Sequence, residues 1–250
     1  MTVQFFYLPL MTKEEEQIQA QAIAFAKANK TKIAKELTCK EEFPRSPVAT
    51  SVFMAGSPGA GKTETALEMA AMARSKGAPS IHIDTDAMRP YFSEYNGTNS
   101  WLFQYPASIL VDKIHDLALK NGQNFFFDGT FSNFERAKKN IERSLRKNRV
   151  VIILYVYLDP KAAWNFVLKR ELSEGRNIPK ESFIDQYFSA KDTVNRIKRE
   201  FGKKVIVELL HKNDDFSPKN TRFNIDQIDN HIGEKYTRAA LLELLPSNYT

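Results

Sequence analysis

The apolar run Val52-Phe53-Met54-Ala55 passes without interruption into Gly56-Ser57-Pro58-Gly59-Ala60-Gly61-Lys62-Thr63. Few stretches constrain a chain more. Glycine opens backbone conformations closed to other residues, so successive N–H groups can turn inward on a bound anion. The pattern GxxxxGK[ST] needs a strand before it and a helix after it, and the alanine-rich segment from Glu64 to Arg74 supplies the helix. Gly56, Ser57, Pro58, Gly59, Ala60, Gly61, Lys62 and Thr63 are therefore expected to cradle the phosphates of ATP or GTP. Lys62 would reach the β- and γ-phosphates, and the Thr63 hydroxyl would bind Mg2+.

A strand that feeds such a loop belongs in a parallel sheet, and further strand-like apolar runs follow. The set is Val48–Ala55, Ile81–Ile83, Asn124–Phe127, Val150–Leu158 and Val205–Leu210. Several are apolar at consecutive residues instead of alternating, the pattern of parallel strands covered on both faces. The expected fold is α/β: a three-layer P-loop NTPase fold with a central parallel sheet flanked by helices. Residues 48–250 would form this domain, with Tyr236–Leu245 a helix that completes it. Residues 1–47 read as an N-terminal helical extension and linker. Thr12 and Glu15 have capping-box spacing, Ile18, Ala22, Phe25, Asn29 and Ile33 recur at helical intervals, and Pro44 and Pro47 break the stretch from Lys40 onward.

At 250 residues, with 42% hydrophobic and 26% charged, the chain can bury a core unaided, which excludes wholesale disorder. The longest apolar run, Val150–Leu158, is too short to span a bilayer, so no membrane partner is expected. Cys39 is the only cysteine, which excludes intramolecular disulfides and thiolate metal clusters and fits the cytoplasm. The start of the chain lacks a basic segment and carries Pro9 within its short apolar stretch, which argues against a signal peptide. A net charge of +6 favours anionic ligands but does not choose between nucleic acid, nucleotides and sugar phosphates. Seven basic residues fall between Glu135 and Arg149, where Phe134, Ala137, Ile141 and Leu145 share one helical face and the charges form a solvated one.

Three further segments carry chemistry. Ile81-His82-Ile83-Asp84-Thr85-Asp86-Ala87-Met88-Arg89 places carboxylates at the C-terminal end of a strand, where ligands of open α/β sheets bind. Asp86 is a candidate base for deprotonating an acceptor hydroxyl, although an aspartate here also suits a helix cap. Asn124-Phe125-Phe126-Phe127-Asp128-Gly129-Thr130 brings Asp128 and Thr130 to the same edge, with Asp128 either near the metal or capping a turn. The segment from Leu168 to Lys180 carries Arg170 and Arg176 around Gly175 and Pro179. Arginine-rich breaks of this kind act as lids that neutralise transferring phosphoryl groups and exclude water.

The series GSPGAGKT, IDTDAMR, DGT and LKREL…GRNIPKESF, in this order over about Val48–Ala190, resembles the zeta toxin family of P-loop kinases, which is related in fold to polynucleotide kinase and chloramphenicol phosphotransferase. The resemblance implies transfer of the ATP γ-phosphate to the sugar 3′-hydroxyl of UDP-N-acetylglucosamine. It also implies catalytic roles for Lys62, Asp86, Arg170 and Arg176 and a sugar-nucleotide contact at Asp112, where the family has glutamate. The family's histidine–proline pair is replaced here by Arg89-Pro90-Tyr91, and its arginine after the third strand is missing beyond Thr130. Arg89, Asp112, Asp128 and Thr130 thus form the expected substrate side, and Thr63 and Asp128 the metal side. An antitoxin protein, or the helix from Thr12 to Leu37 acting in cis, would regulate such an enzyme.

Two other functions fit the same motifs. One is a kinase of a nucleic-acid 5′-hydroxyl, a nucleoside or an antibiotic. Nucleic acid is the less favoured of these, as the chain has no recognisable RNA-binding motif. The other is a nucleotide-dependent switch or interaction module without transfer activity, which the acidic pair and the lid arginines disfavour. No guanine-reading NKxD motif is present, and Asn213-Asp214-Asp215 does not qualify.

Overall fold

A computed structural model describes residues 11–175, 177–233 and 236–248. Its centre is a six-stranded sheet built from β1 (Thr50–Ala55), β2 (Ser80–Ile83), β3 (Asn124–Phe127), β4 (Val150–Tyr157), β5 (Ile206–Lys212) and β6 (Pro218–Arg222). The spatial order is β2-β3-β1-β4-β5-β6, and the first five strands run parallel. β1 lies in the middle, with Phe53 opposite Phe127 on one side and Ile153 on the other. Residues Ser51 to Ala55 are all buried, which accounts for the uninterrupted apolar run.

Five parallel strands agree with the sequence, whereas β6 is additional and antiparallel to β5. Its residues, Pro-Lys-Asn-Thr-Arg, are mostly exposed and show no apolar alternation. An edge strand pairs on one side only, so proline and lysine are tolerated there and hydrophobic periodicity is not required.

Helices α1 (Lys13–Leu37), α2 (Lys62–Ser75), α3 (Gln104–Asn121), α4 (Phe134–Leu145), α5 (Pro160–Glu174), α6 (Lys180–Phe201) and α7 (Arg238–Leu244) surround the sheet. α1 opens with the expected capping box: Glu15 N–H donates to the Thr12 hydroxyl at 3.2 Å, and Thr12 N–H donates to the Glu15 carboxylate at 2.7 Å. It lies along α3 and the short turn at Ser100–Phe103, and buries Ala22, Ala26, Ile33 and Ala34 in the same core as the sheet. Phe25 meets Phe92 edge-on at 5.7 Å, so α1 also braces the segment just beyond Asp86. Among the described residues no helix is long and apolar enough to cross a membrane.

Beneath this layer, His115 on α3 is fully buried against Phe53, Phe125 and Phe127. Arg143 on α4 stands 3.1 Å from its Nδ1. A guanidinium can only donate, so Nδ1 accepts and the imidazole proton sits on Nε2, which has no partner. Burial, followed by the charges of Arg143, Arg149 and Arg136, holds its pKa down at about 3.

Candidate active site

The loop after β1 turns on glycines that no other residue replaces cheaply. Gly56 has φ +136°, and a Cβ there would lie 2.3 Å from the Val156 carbonyl oxygen. Gly59 has φ +73°, and its Cβ would lie 2.2 Å from the Ala163 carbonyl oxygen on α5. The loop is thus wedged between β4 and α5, and its backbone is held open toward the N-terminus of α2. The first turn of α2 has N–H groups without intrahelical partners, which suits an anion. Lys62 is buried and its Nζ donates to the Ser57 carbonyl at 2.6 Å, bridging the loop from end to end. Gly56 N–H donates to the Thr130 carbonyl at 3.2 Å, which seats the loop against the end of β3.

Asp128 follows β3 and is nearly buried. The Thr63 hydroxyl hydrogen-bonds to its carboxylate. His82 on β2 approaches Oδ2 through Nε2 at 3.3 Å. Burial alone would raise the Asp128 pKa, but the bonds from His82 and Thr63 and the charge of Lys62 outweigh it and hold the carboxyl below its usual range. Hydroxyl and carboxylate oxygens side by side are the hard donors that Mg2+ takes, so Thr63 and Asp128 fit that ion. The Thr130 hydroxyl pairs with that of Ser132 at 2.9 Å.

Asp84 and Asp86 leave the adjoining strand β2. Asp84 Oδ1 accepts from the Asp86 N–H at 2.9 Å, so the first acid shapes the turn that presents the second. Burial, then the negative charges of Asp86 and Asp128, push the Asp84 pKa up to about 6. Asp86 begins a short 3-10 helix, Asp86–Tyr91, whose Arg89 turns back to it with Nη1 3.0 Å from Oδ1. Arg89 is 4% exposed and also donates to Gln104 Oε1 at 2.9 Å, which ties the helix to the start of α3.

Near the end of α5, Arg170 pairs with Glu174 at 3.0 Å. Burial works to lower its pKa, but Glu174 prevails, helped by the charges of Asp86 and Glu64, so it is held above its usual value. Arg176 lies outside the described residues. Asp112 is exposed on α3 and pairs with Arg136 of α4 at 3.5 Å, not with any group around Asp86. The structure therefore gathers Lys62, Thr63, Asp86, Arg89, Asp128 and Thr130 at one sheet edge, with Arg170 within reach of the field of Asp86. His82 and Gln104 join them without having been singled out in the sequence. His82 shares a strand face with Asp84 two residues on, but its neighbour Asp128 is 46 residues away, and only strand pairing reveals the contact.

The model of one protein family, described as Zeta toxin, matches residues 33–221, well over half of the chain. No curated protein matches the chain in sequence. Among solved structures, one of the PezAT chromosomal toxin–antitoxin system of Streptococcus pneumoniae is similar over 96% of this chain and 90% of that one, at 16% identity and a TM-score of 0.55. The native AvrRxo1-ORF1:-ORF2 complex is similar over 88% of this chain and 72% of that one, at 14% identity and a TM-score of 0.57. The same complex with ATP is similar over 85% and 67%, at 14% identity and a TM-score of 0.55. At these identities the structural likeness speaks to the fold.

Proposed function

The chain belongs to the zeta toxin family, and from that premise we propose that it is an ATP-dependent phosphotransferase acting on an alcohol group. The observation that carries this reading is the meeting, at one sheet edge, of the phosphate loop with the Arg89-held carboxylate of Asp86. A switch that only binds nucleotide has no need of an oriented carboxylate across from its phosphates. The AvrRxo1-ORF1:-ORF2 structure with ATP supports the choice of nucleotide.

In this reading the amides of Gly56 to Thr63 and the Lys62 ammonium hold the triphosphate. Asp86 orients the acceptor hydroxyl and takes its proton as the oxygen attacks the γ-phosphorus, while the bond from that phosphorus to the bridging oxygen breaks and ADP leaves. Arg170, on leaving Glu174, would offset the charge of the transferring group, a role we also give Arg176. Thr63 and Asp128 would hold Mg2+, which would offset negative charge on the triphosphate. Arg89 positions Asp86, and Thr130, at the end of β3 beside the phosphate loop, is assigned to the acceptor side.

The acceptor we propose is a small molecule, with the sugar 3′-hydroxyl of UDP-N-acetylglucosamine first in order because of the family resemblance. Asp112 would reach it only after leaving Arg136, so this contact depends on a rearranged side chain. An antitoxin partner is proposed from the toxin–antitoxin system among the structural neighbours. The position of α1 along α3 supports a bracing role for that helix over cis inhibition. Cys39 is a free thiol bonded to Glu41 at 2.9 Å, which accords with a cytoplasmic setting.

The test is transfer of labelled γ-phosphate from ATP into separate pools of UDP-N-acetylglucosamine, nucleosides and RNA. Label in the sugar nucleotide supports the full proposal, and label in another pool reassigns the acceptor. Failure to label any pool, with hydrolysis no faster than in Lys62→Ala, would sink the kinase reading.

A further inference from the structure

We infer that Phe166 and Phe216 form the platform on which the base of the bound nucleotide stacks. The inference rests on the nucleotide reading above and assigns the end of the ligand that the phosphate loop does not touch.

The direction of the ligand follows from strand order. The loop leaves β1, while Asp86 leaves β2, on the β3 side of β1. A triphosphate whose terminal phosphorus faces Asp86 must extend its nucleoside the opposite way, over β4 and β5. On that side two phenyl rings meet, Phe166 of α5 and Phe216 of the turn between β5 and β6, with centroids 3.9 Å apart and planes inclined by 45°. Both rings are only partly buried, so part of each remains open to solvent.

The pair is coupled to the phosphate loop from two directions. A Cβ on Gly61 would lie 2.7 Å from the Phe216 ring, and the buried Lys212 donates from Nζ to the Gly61 carbonyl at 3.2 Å. Ala163 and Val167, on either side of Phe166 in α5, both approach Gly59. Phe216 therefore packs on Gly61, and Phe166 belongs to the turn of α5 that meets Gly59. Lys169 and Lys212 hold their ammonium groups over the two rings, 5.2 Å and 5.6 Å from their centres, so an incoming base would share the platform with them. Cations at the platform favour an electron-rich ring placed against them and draw the ligand's phosphates toward the same flank.

Phe216 also holds an unfavourable backbone. Its φ is +66°, in the left-handed region where turns ordinarily place glycine or asparagine. A bulky side chain kept in such a conformation is a local cost that the turn itself does not require, and strain of this kind gathers at ligand-binding positions. Hydrophobic packing alone would be served by an aliphatic residue. Stacking requires the flat face.

The experiment is calorimetric titration of the full chain with ADP and, separately, with inorganic tripolyphosphate. The wild type should bind ADP more tightly than its phosphates alone account for. Phe166→Ala, and Phe216→Leu, which keeps bulk against Gly61 but removes the aromatic face, should each lose about tenfold in ADP affinity, in line with the loss of one base–aromatic stack. Tripolyphosphate affinity should stay unchanged, and Phe216→Trp should restore ADP binding. Wild-type ADP affinity in both weakened variants would overturn the inference, as would an equal loss for ADP and tripolyphosphate, which would mean that the rings only prop the loop. In either case the nucleotide reading would survive. A wild type that binds neither ligand would sink both.

Discussion

Nη1 of Arg89 stands 3.0 Å from Oδ1 of Asp86, one turn back along the same short helix, and the guanidinium is itself buried. Gln104 takes its other terminal nitrogen, while its Nε is buried without a partner. A cation held by α3 thus sets the rotamer of the carboxylate that faces the phosphate loop. Such an arrangement fixes direction before any substrate arrives, which is where positioning contributes most to phosphoryl transfer.

Asp86→Asn should abolish most transfer and leave nucleotide binding in place. General base catalysis contributes about 10²- to 10⁴-fold, so kcat should fall by at least about a hundredfold. Rapid-quench assays beside calorimetric ADP titration separate the two effects. Unimpaired turnover would remove Asp86 from the mechanism.

Lys62→Ala removes the bridge to Ser57 together with the cation nearest the phosphates. ATP and tripolyphosphate should both lose affinity, by about tenfold or more, because each depends on the same charge-assisted contacts. The two ligands are compared by titration, and equal affinity in mutant and wild type would place the phosphate site elsewhere.

Arg89→Met leaves Asp86 without its ion pair and Gln104 without its donor. Breaking a fully buried pair costs about 3–5 kcal/mol, and the partial exposure of Asp86 brings the expected loss to about 2 kcal/mol. Urea unfolding measures this. In the folded fraction kcat should fall with little change in KM for ATP. A drop in KM for ATP alone would point to a different role.

His115 sets a pH dependence of stability. Its folded pKa of about 3 lies below the ordinary value of 6.5, so below pH 6.5 the unfolded chain takes up a proton that the folded chain refuses. This contribution is fully present above pH 6.5 and is lost as pH falls toward 3, at up to about 1.4 kcal/mol per unit. Urea titrations at pH 6.5, 5.8 and 5.0 should show the stability advantage of the wild type over His115→Phe shrinking as pH falls; the comparison cancels Asp84, whose raised pKa of about 6 makes it titrate in the same window with the opposite sign.

Much of the molecule is written along the chain. Local patterns are enough for the loop from Gly56 to Thr63, the capping box of Thr12 and Glu15, and the five parallel strands, because each rests on neighbours a few residues apart or on a continuous apolar run. β6 leaves no mark in the hydrophobic pattern because an edge strand obeys pairing instead. Asp112 matched by position alone, and a neighbouring helix supplied Arg136 as its partner.

The sequence by itself determined the phosphate loop, the class of fold and the set of carboxylates that emerge from the strand ends. Tertiary structure decided which of these groups meet: His82 with Asp128, Arg149 with the carbonyls of Thr50 and Gln123, Phe166 with Phe216. The physical reason is range. Propensities and turn chemistry act within a few residues, whereas a contact between residues tens of positions apart exists only once strand order and helix packing have brought the two segments together.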